Sequence, residues 1–186
     1  MNRSEIPPVV SIVGKKNSGK TTLTVAVAAE LKRRGVRVAS VKHGHHAFEI
    51  DQPGRDSWRH FHEGEVEAVL LVASGKLALV MRLHDEEPDP EALIRRFYAD
   101  AGYDLVLVEG YKHGPFPKVE VFRRAIHERP IYDPGDAAGA ELFLGIVSDD
   151  PDLESMIPLI PLDAEGGHVR RTADLIEERV LRPGGG

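Results

Sequence analysis

Cysteine is absent from the 186 residues. That excludes disulfides, thiolate metal sites and cysteine nucleophiles, and it fits a reducing compartment. Long apolar runs are missing as well, so no segment reads as a membrane span. Residues 1–8 lack the apolar stretch of a signal peptide, and the expectation is a cytoplasmic protein. Positive charge is in deficit. Lys plus Arg number 24 against 30 Asp plus Glu, for a formal net charge of −6. An acidic surface of that kind argues against non-specific nucleic-acid binding. No internal repeat or low-complexity block occurs. What remains is 41% hydrophobic and 29% charged, the balance of a soluble globular chain. The length suits one ordinary domain, 1–186, with a frayed tail at 182–186.

Strands and helices alternate. Residues 9–13 form a short β-branched run, read as a buried strand. Residues 21–34 read as a helix, with Lys32, Arg33 and Arg34 in the last turn and Gly35 just beyond it. A second strand follows at 36–41. Two strands joined by a helix lie parallel. Residues 42–64 are polar, His-rich and turn-rich, and are expected to be irregular. A hairpin is expected from 66–73 and 77–83 around Ser74-Gly75-Lys76. Asp89 and Pro90 open a helix with Leu93, Ile94 and Phe97 on one face. Further strands are expected at 105–108, 119–122, 142–147 and 159–162. An amphipathic helix at 169–181 closes the chain, with Ala173, Ile176 and Val180 inward. The fold class is α/β: a P-loop NTPase-like, mainly parallel twisted sheet flanked by helices, with an antiparallel hairpin insertion.

Gly14, Lys15, Lys16, Asn17, Ser18, Gly19, Lys20 and Thr21 match G-x-x-x-x-G-K-T in full, with a strand before and a helix after. The glycines permit backbone angles that a side chain forbids. The loop then turns N–H groups inward, and these add to the positive end of the helix dipole to hold anionic oxygens. Lys20 is placed to reach β- and γ-phosphates, and the Thr21 hydroxyl to ligate Mg²⁺.

The strand at 105–108 has an acid at each end. Ligands bind outside the carboxyl ends of such strands. Glu109 stands at that end; Asp104 lies at the other, roughly 16 Å away at about 3.3 Å per residue. Glu109 is therefore the candidate for Mg²⁺, directly or through water, against a plain strand-end charge. Asp104 is left structural. Gly110 lets the backbone leave the strand near the phosphates. In the long polar segment, His43, His45 and His46 invite a metal reading against that of an exposed polar loop. Asp51-Gln52-Pro53-Gly54-Arg55-Asp56-Ser57 sits where P-loop proteins carry a loop that senses the γ-phosphate. Asp51 either binds Mg²⁺ or orients the attacking water, or else belongs to a plain turn.

Four motifs, at 14–23, 41–46 (Val-Lys-His-Gly-His-His), 51–57 and 108–112 (Val-Glu-Gly-Tyr-Lys), resemble the MobB family of molybdopterin-guanine dinucleotide biosynthesis proteins. Residues 117–121, Pro-Lys-Val-Glu-Val, fit too, and order and spacing agree across nearly the whole chain. The resemblance implies a GTP-binding accessory protein with weak Mg²⁺-dependent GTPase activity. It also implies a homodimer that assists a MobA-like guanylyltransferase in attaching GMP to molybdopterin. It carries nucleotide and metal roles to the loop residues, Thr22 included, and site roles to His43, Asp51, Asp56 and Glu109, with Lys112 facing the same cleft. Arg55 stands where the family usually has lysine, and His62-Glu63-Gly64-Glu65 where it has a small-residue turn.

Base choice is not legible in the residues. The guanine-reading Asn-Lys-x-Asp is absent. Asp149, after a late strand, is either a guanine partner or a cap. No arginine finger is evident, although Arg55 or Arg59 stands as a candidate across a dimer, so hydrolysis is expected to be slow. Two other functions share these features: a P-loop kinase or ligase of the dethiobiotin-synthetase kind, and a nickel-insertion GTPase built on the histidines.

Overall fold

The computed structural model describes residues 6–44, 51–84 and 88–183. His45 and His46 lie outside the described residues. In chain order the elements are β1 (Val9–Val13), α1 (Lys20–Arg33), β2 (Val38–Lys42), α2 (Asp56–His62), β3 (Ala68–Ala73), β4 (Lys76–Met81), α3 (Pro90–Tyr98) and β5 (Leu105–Glu109). They continue with β6 (Lys118–Phe122), α4 (Ala137–Ala140), β7 (Phe143–Ser148), β8 (Leu159–Pro161) and α5 (Gly167–Ile176). The chain forms two compact units, Met1–His43 with Pro90–Gly186, and Gly44–Asp89.

The first unit is a six-stranded sheet in the order β2-β5-β1-β6-β7-β8. All five neighbouring pairs are parallel. β1 is central, and every one of its residues is buried. Strands covered on both faces read as continuous apolar runs, which is why residues 9–13 and 105–108 show no alternation. One face packs Val10, Ile12, Leu105 and Leu107 against Val27 and Leu31 of α1 and Ala173 and Ile176 of α5. The other packs Val9, Val106 and Val108 against Ile94 of α3. β5 lies between β1 and β2, so the acid-bearing strand is hydrogen-bonded directly to the strand that leads into the glycine loop.

Local signals account for the helix ends. At the end of α1 the Gly35 N–H donates to Lys32 O at 3.0 Å and the Val36 N–H to Leu31 O at 3.0 Å. That pair of bonds, around a glycine at φ 89°, is the Schellman stop. It occupies Val36, and β2 begins two residues later than the β-branched run suggests. Arg34 ties the end of α1 to Asp174 of α5 and to Glu177 just beyond it, each at 2.6 Å.

Three expectations need correction. Residues 42–64 are not irregular throughout, since α2 occupies Asp56–His62. None of its residues is buried, so its periodicity has little to display. Phe97 does not share the inward face of Ile94. It is 42% exposed, whereas Ile94 is fully buried. The closing helix is not one regular element: α5 ends at Ile176 and the chain widens into a π-type turn over Glu177–Leu181. Ala173 and Ile176 are buried as expected, with Val180 packed at the margin of the same cluster.

The second unit holds α2 and the antiparallel hairpin of β3 and β4, which forms its own two-stranded sheet. Among the described residues, no helix is long and apolar enough to cross a membrane.

Candidate functional site

The loop from Gly14 to Thr21 leaves the carboxyl end of β1 and enters α1. Gly14 has φ 152°, and a Cβ there would lie 2.6 Å from the carbonyl oxygen of Val121 on β6. No side chain fits that approach. Asn17 adopts φ 63° and Gly19 φ 99°, the left-handed turns that fold the loop back over the helix start. The Ser18 N–H donates to Lys15 O at 3.3 Å. Ser18 is itself buried, and its hydroxyl has no protein partner among the described residues. Lys20 Nζ crosses the loop to Lys15 O at 2.9 Å. Lys15, Lys16, Asn17, Thr21 and Thr22 are exposed.

Parallel register builds the rest of this corner. Ile12 on β1 and Lys42 on β2 both stand opposite Glu109 at the end of β5. Thr21 Oγ1 donates to Glu109 Oε1 at 2.7 Å. Lys42 Nζ lies 3.2 Å from the same carboxylate oxygen and donates to Thr21 Oγ1 at 3.4 Å. Burial lowers the pKa of Lys20; nearby Glu109 opposes that shift and Lys42 adds to it. Two ammonium groups and one carboxylate therefore share the corner.

Beyond β5 the backbone turns sharply. Gly110 has φ 108°, and a Cβ there would press on Cβ of His43 at 3.1 Å. Tyr111 is left-handed at φ 48°, a strained angle of the sort that clusters at functional sites. Its ring stacks on His43, centroids 4.2 Å apart. His43 is thus aligned beside Glu109, whose carbonyl accepts its N–H at 3.0 Å. Lys112 follows and is exposed. Asp104 accepts the Arg37 N–H at 2.7 Å at the far end of the strand from Glu109.

A clasp on the outside of the loop escaped the sequence reading. Lys15 Nζ donates to Arg129 O at 2.6 Å, and His127 Nε2 to Lys16 O at 2.8 Å. The clasp is itself held by Glu120 on β6, which is 1% exposed. Its carboxylate accepts the N–H groups of Ile131 at 2.6 Å and Tyr132 at 2.8 Å. Burial pushes the Glu120 carboxyl above its ordinary pKa, with those two N–H groups and Lys15 pulling the other way. Lys118, also buried on β6, donates to Gly114 O and Phe116 O and pins the turn that follows β5. A lysine and a glutamate inside an otherwise apolar strand were the available signal.

Asp149 has both carboxylate oxygens engaged. Oδ2 accepts from Arg123 Nε at 2.6 Å and Oδ1 from the Arg124 N–H at 2.7 Å. Burial raises its pKa, but these partners outweigh that and the net shift is downward. Its geometry is that of a strap between β7 and the segment after β6. Asp51 and Asp56 belong to the second unit. Asp51 Oδ1 accepts the Gln52 N–H at 2.9 Å, and Asp56 opens α2 behind Arg55. Among the described residues, no group of three or more His, Asp or Glu is placed to hold a metal ion.

A glycine-edged loop between a central strand and the first helix, with an acid on the adjacent parallel strand, defines a P-loop α/β protein. The model of the family described as MobB, molybdopterin guanine dinucleotide synthesis protein B, matches residues 9–142, and the chain belongs to that family. It is 37% identical over 119 residues to the molybdopterin-guanine dinucleotide biosynthesis adapter protein of Haemophilus influenzae. That match covers 63% of this chain and 64% of the relative, so the chain spans just under two thirds of that relative's length. The Escherichia coli protein of the same name is 35% identical over 127 residues, covering 66% of this chain and 70% of its own. Among solved structures, a MobB homologue from Bacillus stearothermophilus superposes with a TM-score of 0.63 at 25% identity, covering 91% of this chain and 97% of that one. A molybdopterin-guanine biosynthesis protein B gives 0.62 at 27% identity, covering 90% and 95%.

Proposed function

We propose that this chain is a GTP-binding adapter in the formation of molybdopterin guanine dinucleotide, holding Mg²⁺·GTP on the 14–21 loop in support of a MobA-like guanylyltransferase. The adapter role follows the names of the H. influenzae and E. coli relatives. The single observation behind the nucleotide site is the oxygen pair of Thr21 Oγ1 and Glu109 Oε1, 2.7 Å apart and adjoining Lys20. Octahedral Mg²⁺ with ligands at about 2.0–2.1 Å sets adjacent ligand oxygens about 2.9 Å apart. The donor set, a hydroxyl and a carboxylate, is also the hard oxygen chemistry that this ion prefers. When bound, the ion neutralises phosphate charge.

The chain's own groups do the remainder. Lys20 exchanges the Lys15 carbonyl for phosphate oxygens. The buried Ser18 hydroxyl and the start of α1 favour an anion within the loop. The clasp of His127 and Arg129 keeps the loop folded between occupants. His43 and Lys112 flank the phosphate tail. Hydrolysis is slow in this reading, and molybdopterin is a further candidate ligand.

The hairpin supports a homodimer. Leu70 pairs with Leu79 and Val72 with Leu77, so all four share one face of a two-stranded sheet. They are 58%, 39%, 75% and 69% exposed, an apolar face that a second copy would cover.

Titration calorimetry with GTP and ATP in the presence of Mg²⁺ tests the reading. GTP is expected to bind more tightly than ATP, and Lys20→Ala to lose most of the affinity. Tighter ATP binding would overturn the choice of base, and unchanged GTP binding by the variant would overturn the site. Capture of a molybdenum-pathway guanylyltransferase only with Mg²⁺·GTP present would support the adapter role.

A further inference from the structure

Lys42 lies outside the residues to which the sequence assigned a role. Its backbone is held in β2 opposite Glu109, while its side chain is 65% exposed. The ammonium closes a triangle with Thr21 Oγ1 at 3.4 Å and Glu109 Oε1 at 3.2 Å. Those two oxygens are the pair assigned above to a divalent ion. Two cations on one carboxylate oxygen would stand about 3–4 Å apart, where repulsion between a single and a double charge is strong even with solvent nearby. They therefore exclude each other. The Glu109 side chain is only 12% exposed, so a carboxylate largely withdrawn from water has both the Lys42 ammonium and the Thr21 hydroxyl as partners.

We propose that Lys42 is a built-in counter-cation of the nucleotide site, its ammonium and the divalent ion being alternative occupants of the Thr21–Glu109 oxygen pair. The proposal rests on the reading of the 14–21 loop as a Mg²⁺-nucleotide site. Without the metal, Lys42 neutralises Glu109, which would otherwise repel the phosphate tail, and nucleotide can load. With a metal bound, the 65% exposed Lys42 side chain would leave the oxygen pair for solvent. Lys42 is thus a positioning residue that sets how strongly nucleotide binding depends on Mg²⁺.

The test uses the full chain and a fluorescent GTP analogue, titrated in EDTA and across a Mg²⁺ series, with the parent, Lys42→Met and Lys42→Arg. Lys42→Met is expected to weaken binding in EDTA about tenfold and to lower the Mg²⁺ concentration for half-maximal binding about five- to tenfold. Lys42→Arg, which keeps the charge, is expected to stay near the parent in both arms. The opposite signs matter, because simple loss of a positive charge near an anion weakens both arms together. Equal weakening in both arms, or an unmoved Mg²⁺ midpoint, overturns the role of Lys42 and leaves the loop assignment standing. A parent chain that binds no guanine nucleotide at any Mg²⁺ concentration overturns the loop assignment, and the Lys42 proposal with it.

Discussion

Replacing Glu120 with alanine exposes the cost of the clasp behind the phosphate loop. The carboxylate is 1% exposed and accepts two backbone N–H groups, from Ile131 at 2.6 Å and Tyr132 at 2.8 Å. Alanine strands both donors, the Tyr132 N–H buried and the Ile131 N–H part-buried, and each stranded donor costs about 1–3 kcal/mol. Burial of the carboxylate offsets part of that, because it disfavours the charged form and pushes the pKa upward. The net expectation is a loss of about 2–4 kcal/mol, or about 5–15 °C in melting temperature for a chain of this size. Thermal melting followed by circular dichroism measures the total. Hydrogen exchange reads the locality, with the amides of Ile131 and Tyr132 slow in the parent and fast in the variant. Glu120→Gln keeps one acceptor and should fall between the two. Melting within about 0.5 kcal/mol of the parent, with both amides still protected, would refute the reasoning.

Glu30 is held at a pKa of about 2, first by its hydrogen bond to Arg33 and then by that to Arg34. A carboxyl depressed in this way contributes stability above its ordinary value near 4.5 and loses it as pH falls toward 2. The parent's melting temperature should therefore drop more steeply between those pH values than that of Glu30→Gln. Ile94 is the one fully buried residue by which α3 is anchored to the sheet. Ile94→Ala should cost about 2–4 kcal/mol in urea unfolding. Leu77→Asp, on the exposed hairpin face, should shift sedimentation from dimer to monomer without loss of helical signal. An unchanged sedimentation coefficient would remove that face from the proposed dimer.

Much of the fold was legible because the signals are local. Continuous β-branched runs identify strands buried on both faces, and Gly35 announces its Schellman stop in the neighbouring residues. The helix Asp56–His62 was not legible, because seven residues with no buried side chain carry no readable period. Phe97 was misread because helical spacing alone sets a face without showing how far the neighbouring sheet extends beneath it.

The candidate site divides in the same way. Gly14 to Thr21 is one consecutive stretch whose backbone angles follow from its own residues, and strand polarity alone separates Glu109 from Asp104. The partnership of Lys42 with Glu109 depends on the register between two strands 67 positions apart in the chain. The capture of Asp149 by Arg123 and Arg124 likewise exists only once β6 and β7 lie side by side, and the grip of Glu120 on residues 131 and 132 only once the chain after β6 folds back onto that strand. Sequence determines a feature when the groups that make it are neighbours along the backbone, where covalent geometry limits the choices. Where the groups meet across a sheet, packing of the core chooses the register, and the tertiary structure alone decides which charges share a corner.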